Sequence, residues 1–213
     1  MRGIVQPVST VTDTPAVRGR PREFDTDEVL DEVVRVFWRR GYEATAISDI
    51  VKATGLNKSS LYNAFGSKEE LFTLAVERYI SMRVAMMKDI LVAGSGGLDD
   101  IGMFIDLQEA ESMSDDECRG CLALNSSSEL GTRVNDVVGP LTRFRAGMRD
   151  GIGAALWRAS EAGEIDSADV PTYTEVLLSM SVATAILTKA GASTDELDGH
   201  FAAMRATVDG WRR

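Results

Sequence analysis

One histidine, His200, and two cysteines, Cys118 and Cys121, in 213 residues leave little material for metal or acid–base chemistry. A structural zinc site takes four such ligands, and a lone Cys-x-x-Cys pair supplies half of one. No Ser/His/Asp set can be assembled, and no glycine-rich phosphate loop sits beside a strand pattern. The reading is therefore no enzyme, no metal and no cofactor. Long apolar runs are missing too. The longest uncharged stretch, Val176 to Thr188, is interrupted by Ser and Thr and is too short to cross a bilayer. No apolar segment of a secretory signal opens the chain. These absences predict a cytoplasmic protein with no membrane partner, in which a permanent disulfide is not expected.

An excess of basic residues is also lacking. The net charge of −10 argues against a nucleic-acid partner until it is split along the chain. Residues 1 to 70 carry ten Lys/Arg and eleven Asp/Glu, a net of −1, and the remainder a net of −9. DNA responds to the local patch, because charge beyond a Debye length of about 8 Å is largely screened.

What is present favours helix: many Ala, Met, Glu, Asp and Arg, with only five prolines. A first helix is read from Thr26 to Arg40. Val29, Val33 and Phe37 form one stripe, Leu30, Val34 and Trp38 the next, and Gly41 stops it. A second helix opens near Thr45 and reaches Ala53. Gly55 then permits a tight turn, and Asn57 can cap the next helix. Leu61 and Phe65, four apart, share a face placed toward the helix that precedes the turn. This is a helix-turn-helix whose second helix offers Lys58, Ser59, Ser60, Tyr62 and Asn63 outward. Short polar side chains beside a Lys and a Tyr suit phosphates and base edges. Ser67 with Glu70 is a capping box that opens a long helix to about Val92, and Lys68 in its first turn adds to an anion-favouring terminus.

The body then reads as helices from Leu98 to about Met113, Cys121 to Leu130, Asn135 to Ala162, Val170 or Pro171 to Lys189, and Thr194 to Trp211. The acidic stretch Ser114 to Glu117 reads as a loop. No strand pattern and no repeat occurs. The expected fold is all-α: a three-helix helix-turn-helix unit joined by a long helix to a helical body. The expected boundaries are a disordered basic arm over 1–23, the helix-turn-helix domain over 24–70 and the body over 71–213.

Gly41-Tyr42, Thr45 and the run from Leu61-Tyr62 through Phe65-Gly66-Ser67-Lys68-Glu69-Glu70-Leu71 resemble the TetR/AcrR family of bacterial transcriptional regulators over roughly residues 24 to 75. Val51 and Ser59 depart from residues frequent in that family. The change at Ser59 alters the surface offered to DNA, so no operator sequence follows. The resemblance implies a homodimer on a palindromic double-stranded operator, released by a small-molecule effector. Ser59, Ser60 and Asn63 are then candidates for groove contacts, and Thr45, Lys58, Tyr62 and Lys68 for phosphates. The last two helices, low in charge and faced with Ala, Ser, Leu and Met, are the expected dimer interface.

Effector-pocket candidates in the body are Met103, Phe104, Leu107, Cys121, Phe144, Met148, Trp157 and Met180. The acidic body favours a neutral or cationic apolar ligand over an anion. An alternative keeps DNA binding but places control in oxidation or electrophile modification of Cys118 and Cys121, with Arg119 between them. The segment Gly120 to Asn125 is similar to one in a subgroup of TetR-like C-terminal domains.

Ahead of the first helix, Arg18-Gly19-Arg20-Pro21-Arg22 resembles an AT-hook, in which arginines enter a narrow A·T-rich minor groove. Deleting residues 1 to 22 should weaken operator binding without unfolding the protein. The slope of log affinity against log salt should fall by about 0.9 for each phosphate neutralisation lost. Unchanged affinity and salt slope in a filter-binding titration would reduce Arg18, Arg20 and Arg22 to linker.

Overall fold

The computed structural model describes residues 24–114, 120–130 and 135–213. Arg18, Arg20 and Cys118, and residues 115–117 of the acidic stretch, lie outside the described residues. Every regular element among the described residues is helical. They are α1 (Thr26–Arg40), α2 (Ile47–Thr54), α3 (Lys58–Phe65), α4 (Lys68–Met87), α5 (Leu98–Ser112), α6 (Leu122–Leu130), α7 (Asn135–Glu161), α8 (Val170–Ala190) and α9 (Thr194–Asp209).

Local chemistry sets the ends of the first four. The Asp25 carboxylate accepts from the amides of Asp27 (2.8 Å) and Glu28 (3.4 Å), and Arg39 and Arg40 lie in the last turn of α1, as the helix dipole favours. Gly55 takes φ +69°, a left-handed conformation open to glycine at little cost, and so turns α2 into α3. Asn57 Oδ1 accepts from the Ser60 amide at 2.8 Å. The capping box at Ser67 is formed both ways: its amide donates to Glu70 Oε2 (2.7 Å) and its hydroxyl accepts from the Glu70 amide (3.2 Å).

These short helices are held on α1 and the first half of α4. Val33, Val34, Phe37, Ile50, Leu61, Phe65, Phe72, Ala75 and Val76 are all buried in this core. Phe37 meets Phe72 edge-on at 4.9 Å, and Arg78 of α4 grips Asp31 of α1 through two hydrogen bonds of 2.9 and 3.1 Å.

In the body, α4 packs on α7, α7 on α8 and α8 on α9, with α5 against α7 and α9. The sequence reading runs α4 on to Val92 as one helix. The structure instead closes its last turn, Lys88–Val92, as π-helix, which leaves carbonyls to be met from outside the ladder. Arg158 of α7 meets them: its guanidinium donates to Leu91 O (2.9 Å) and Val92 O (3.3 Å), and to the buried Asp100 carboxylate (2.8 Å). Pro140 falls in the second turn of α7.

One expectation about α8 needs correction. At 21 residues it is long and apolar enough to cross a membrane by length and composition, whereas the sequence reading counted only its uncharged centre. It packs between α7 and α9, with Leu177, Leu178, Ser181 and Ala185 turned inward.

Arg158→Met should lower stability by about 2–3 kcal/mol in urea unfolding at fixed protein concentration, below the usual cost of breaking a fully buried pair because the Arg158 side chain is 24% exposed.

Candidate nucleic-acid interface and internal cavity

The turn at Gly55 and the Asn57 cap fix which face of α3 points out. Leu61 and Phe65 are buried in the core, whereas Lys58, Ser59, Tyr62 and Asn63 are exposed, with Ser60 half-buried at the edge. Ser59 Oγ donates to Asn57 Oδ1 at 2.7 Å, and Lys58 Nζ stands 5.7 Å from the centre of the Tyr62 ring. Beyond Gly66 the N-terminus of α4 adds a second donor group. Lys68 Nζ lies over the Tyr42 ring at 4.4 Å, which ties the first turn of α4 to the α1–α2 loop. Burial, then Glu69 and Glu43, push the Tyr42 phenol above its ordinary range, so it remains a neutral donor.

Thr45 does not join this surface. It is 2% exposed, and its hydroxyl donates to Gly41 O at 2.6 Å. Its polar atom stabilises the α1–α2 loop instead of meeting a phosphate. Arg40 is occupied by Asp49 at 3.0 Å.

The second feature is a cavity of about 370 Å³ bounded by α4, α5, α7, α8 and the start of α6. Of the residues named from the sequence, Phe104, Cys121, Phe144 and Met148 line it. Met103 and Trp157 do not; they are 58% and 49% exposed. Trp157 comes nine residues after Met148, half a rotation round the helix, so the two cannot face the same space. Leu107 and Met180 are half-buried outside the lining, where Gln108 and Ser181 take the inward positions.

The polar part of the wall and two of its aromatic residues, Trp38 and Tyr79, are not among the residues named from the sequence. Tyr79 and Arg83 of α4, Gln108 and Glu111 of α5, and Ser181, Thr184 and Thr188 of α8 border the cavity, and Trp38 of α1 reaches it beside Tyr79. Arg83 pairs with Glu111. Burial works to discharge Arg83, but pairing with Glu111 opposes it, and the guanidinium stays charged. Thr188 donates to Ser112 Oγ at 3.1 Å, and Thr184 meets His200 Nε2 at 2.8 Å. Ser181 Oγ and Arg83 Nε are buried without a hydrogen-bond partner. A signal for the first lies in the sequence: Ser181, Thr184 and Thr188 share one face of an otherwise apolar helix.

Two contacts join the start and end of α6 to the α1 region. Trp38 Nε1 donates to Gly120 O at 2.9 Å. At the other end, the Glu129 carboxylate accepts from the amides of Tyr42 (3.2 Å) and Glu43 (2.9 Å). Gly120 takes φ +71°, and a Cβ there would stand 2.5 Å from Ala185 O, so only glycine brings this strand of chain against α8.

Cys121 immediately precedes α6 and faces the cavity. Burial pushes its thiol up; the Tyr79 hydroxyl, the amides of Leu124 and Ala123, and Arg83 oppose this without cancelling it. Its thiolate population at neutral pH is therefore below that of free cysteine.

Residues 29–75 match the family model described as bacterial regulatory proteins, tetR family. The HTH-type transcriptional repressor ComR of Escherichia coli (strain K12) is 31% identical over 183 residues, 84% of this chain and 87% of that protein. An uncharacterized HTH-type transcriptional regulator of Bacillus subtilis (strain 168), YezE, is 27% identical over 90% of this chain and all of its own length (100%). Among solved structures, a cysteine-substituted TetR family regulator CifR complexed with 26-bp operator DNA superimposes with a TM-score of 0.78 at 24% identity, covering 90% of this chain and 100% of that one. The reduced form of E. coli NemR superimposes with a TM-score of 0.73 at 19% identity, over 87% of this chain and 97% of that one.

In a Cys118→Ser background, iodoacetamide should alkylate Cys121 more slowly than free cysteine at neutral pH. The rate should still climb at a pH where free cysteine has levelled off. A rate equal to free cysteine by mass spectrometry would contradict the burial of this thiol.

Proposed function

Because this chain belongs to the TetR family of bacterial transcriptional regulators, we propose that it is a homodimeric repressor, released from a palindromic operator by a small, largely apolar molecule. The observation that carries DNA recognition is the exposed polar face of α3, held outward by the Gly55 turn, the Asn57 cap and the buried pair Leu61 and Phe65. On this reading Ser59, Ser60 and Asn63 meet base edges, while Lys58, Tyr62 and Lys68 meet phosphates. Arg18 and Arg20 precede α1 in the sequence as a minor-groove arm. The CifR–operator complex lends support as a fold that carries DNA, and the repressor name of ComR supports the direction of control. Cytoplasmic location and the boundaries 1–23, 24–70 and 71–213 go with this reading.

Dimerisation runs through α8 and α9. Ile186 is 60% exposed in the single chain, and Gly199, Ala202, Ala203 and Ala206 leave a low-relief outer face on α9. Two copies joined there would present two α3 helices to half-sites about 34–36 Å apart. The cavity supports effector control: its size is within the range of small-molecule sites, and its wall is mostly apolar with a few polar groups.

A second reading, control through thiol chemistry, draws on Cys121 facing the same cavity just ahead of α6. Its raised pKa disfavours direct oxidation in free solution and leaves room only for reagents the cavity first binds.

A shift assay on the segment upstream of the gene tests the main reading. Asn63→Ala should cost about 1–3 kcal/mol on the cognate site and less on unrelated DNA, the pattern of a lost base contact. Lys68→Ala should weaken all sequences about evenly. Thr45→Val should leave operator affinity unchanged and lower stability by about 1 kcal/mol, the net worth of one hydrogen bond. Unchanged affinity in both Asn63→Ala and Lys68→Ala would remove α3 and the start of α4 from the interface.

A further inference from the structure

We infer that the effector site is shared across the two parts of the molecule: Trp38 of the DNA-binding part is a ligand-contacting wall, and the occupant is a planar, uncharged, mainly apolar molecule bearing a carbonyl-type hydrogen-bond acceptor. The inference rests on the effector-controlled reading above and names the ligand class and the residue that reads it.

The wall supplies the shape. Aromatic side chains reach the cavity from four different helices: Trp38 on α1, Tyr79 on α4, Phe104 on α5 and Phe144 on α7. Trp38 and Tyr79 are already in edge-to-face contact at 4.9 Å and 70°. A flat ring system meets such walls through stacked and edge contacts that an aliphatic ligand cannot make.

The polar atoms supply the acceptor. Ser181 is 3% exposed, and its hydroxyl has no partner. Arg83 Nε is likewise buried and unpaired, although the same guanidinium meets Glu111 through its Nη1. Both residues line the cavity. Two donors without acceptors call for an oxygen on the ligand. The ligand's charge follows from the same groups. Glu111 already matches the charge of Arg83, and burial keeps the Tyr79 phenol and the Cys121 thiol in their neutral forms. A carboxylate would add an unmatched negative charge, whereas a carbonyl adds none.

Trp38 supplies the readout. Its indole N–H holds Gly120 O at 2.9 Å, and the next residue, Cys121, is itself in the wall. An occupant pressed against the indole therefore bears on the one residue that is at once cavity wall, part of α1 and anchor of the start of α6. α1 shares the helix-turn-helix core: its Phe37 is buried in one cluster with Ile50 of α2 and Leu61 of α3. Movement of Trp38 moves the base of the DNA-reading helix directly, without passing along α4.

The probe is 7-methoxycoumarin, an uncharged planar lactone that absorbs where tryptophan emits. In a Trp157→Phe, Trp211→Phe background, Trp38 is the one remaining tryptophan of the chain's three. Saturable quenching of its emission is expected, with one coumarin per chain. Ser181→Ala should weaken binding several-fold, and 7-methoxycoumarin-3-carboxylate should bind at least tenfold more weakly than the neutral probe. In the otherwise native chain, Trp38→Phe keeps an aromatic wall and loses the N–H. It should still bind coumarin, read by the probe's own emission, but coumarin should shift its operator affinity less than it shifts that of the native chain. No saturable quenching, quenching that Ser181→Ala leaves untouched, tighter binding of the carboxylate, or equal operator release by Trp38→Phe would each overturn the inference. The fluorescence readouts need no DNA. A chain that binds coumarin as described but no operator would sink the regulatory reading alone, and one that binds operator but fails the quenching test would sink this inference alone.

Discussion

The contact between α1 and the first half of α4 is the constraint on which the rest of the molecule depends. α2 and α3 are short, eight residues each, and isolated helices of that length do not hold in water. They are held helical because Ile50, Leu61 and Phe65 bury in one apolar core with Phe37 of α1 and Phe72 and Val76 of α4. Arg78 locks α4 to α1 by gripping Asp31 with both a Nε and a Nη donor, which fixes the rotation of α4 about its axis as well as its distance. The outward direction of Tyr62 and Asn63 is thus inherited from α4, although neither residue belongs to it.

The same helix passes into the body, where Tyr79, Arg83 and Met87 form a wall of the cavity. Its far end is a π-helical turn whose carbonyls are met by Arg158, itself held by Asp100. α4 is therefore held at mid-length by the Arg78–Asp31 pair and at its far end by Arg158 on backbone carbonyls, and the stretch between faces the cavity. α6 is a second bridge. Gly120, just ahead of it, receives the Trp38 indole, and Glu129 near its end receives the backbone amides of Tyr42 and Glu43. A change in the cavity has two physical routes to the DNA-reading surface, one through α4 and one through the residues flanking and within α6.

Polar satisfaction separates the two regions. At the helix termini of the DNA-binding part, Asp25, Asn57 and Ser67 meet free amides with their own side chains. In the cavity wall, Ser181 and Arg83 Nε are left over. Buried polar atoms without partners are uncommon in folded proteins; of three among the described residues, these two belong to cavity-lining side chains and the third, Arg158 Nε, lies outside the lining. Cys121 shows a different balance. Helix amides, a phenol and a guanidinium all favour its thiolate, yet removal from water outweighs them.

Much of this was legible from residue order because it depends on near neighbours in the chain. The span of α1, the Gly55 turn, the Asn57 cap and the Ser67–Glu70 box are set by chemistry within four residues, and the sequence alone determined them. So did the outward set on α3, since helical spacing separates Tyr62 and Asn63 from Leu61 and Phe65. Thr45 is the instructive failure. A threonine ahead of a helix reads as a free hydroxyl, and only the folded loop shows Gly41 O waiting 2.6 Å away. The body was less legible because Met and aromatic residues occupy several faces of each helix. Tertiary packing chose Phe104 over Met103 and sent Trp157 outward by half a rotation. It also brought Trp38 to a site formed mainly by helices beginning at least thirty residues later, and met the carbonyls of α4's last turn with an arginine from α7. Contacts between residues so distant in sequence leave no trace in local pattern, because loop closure and side-chain packing decide them together.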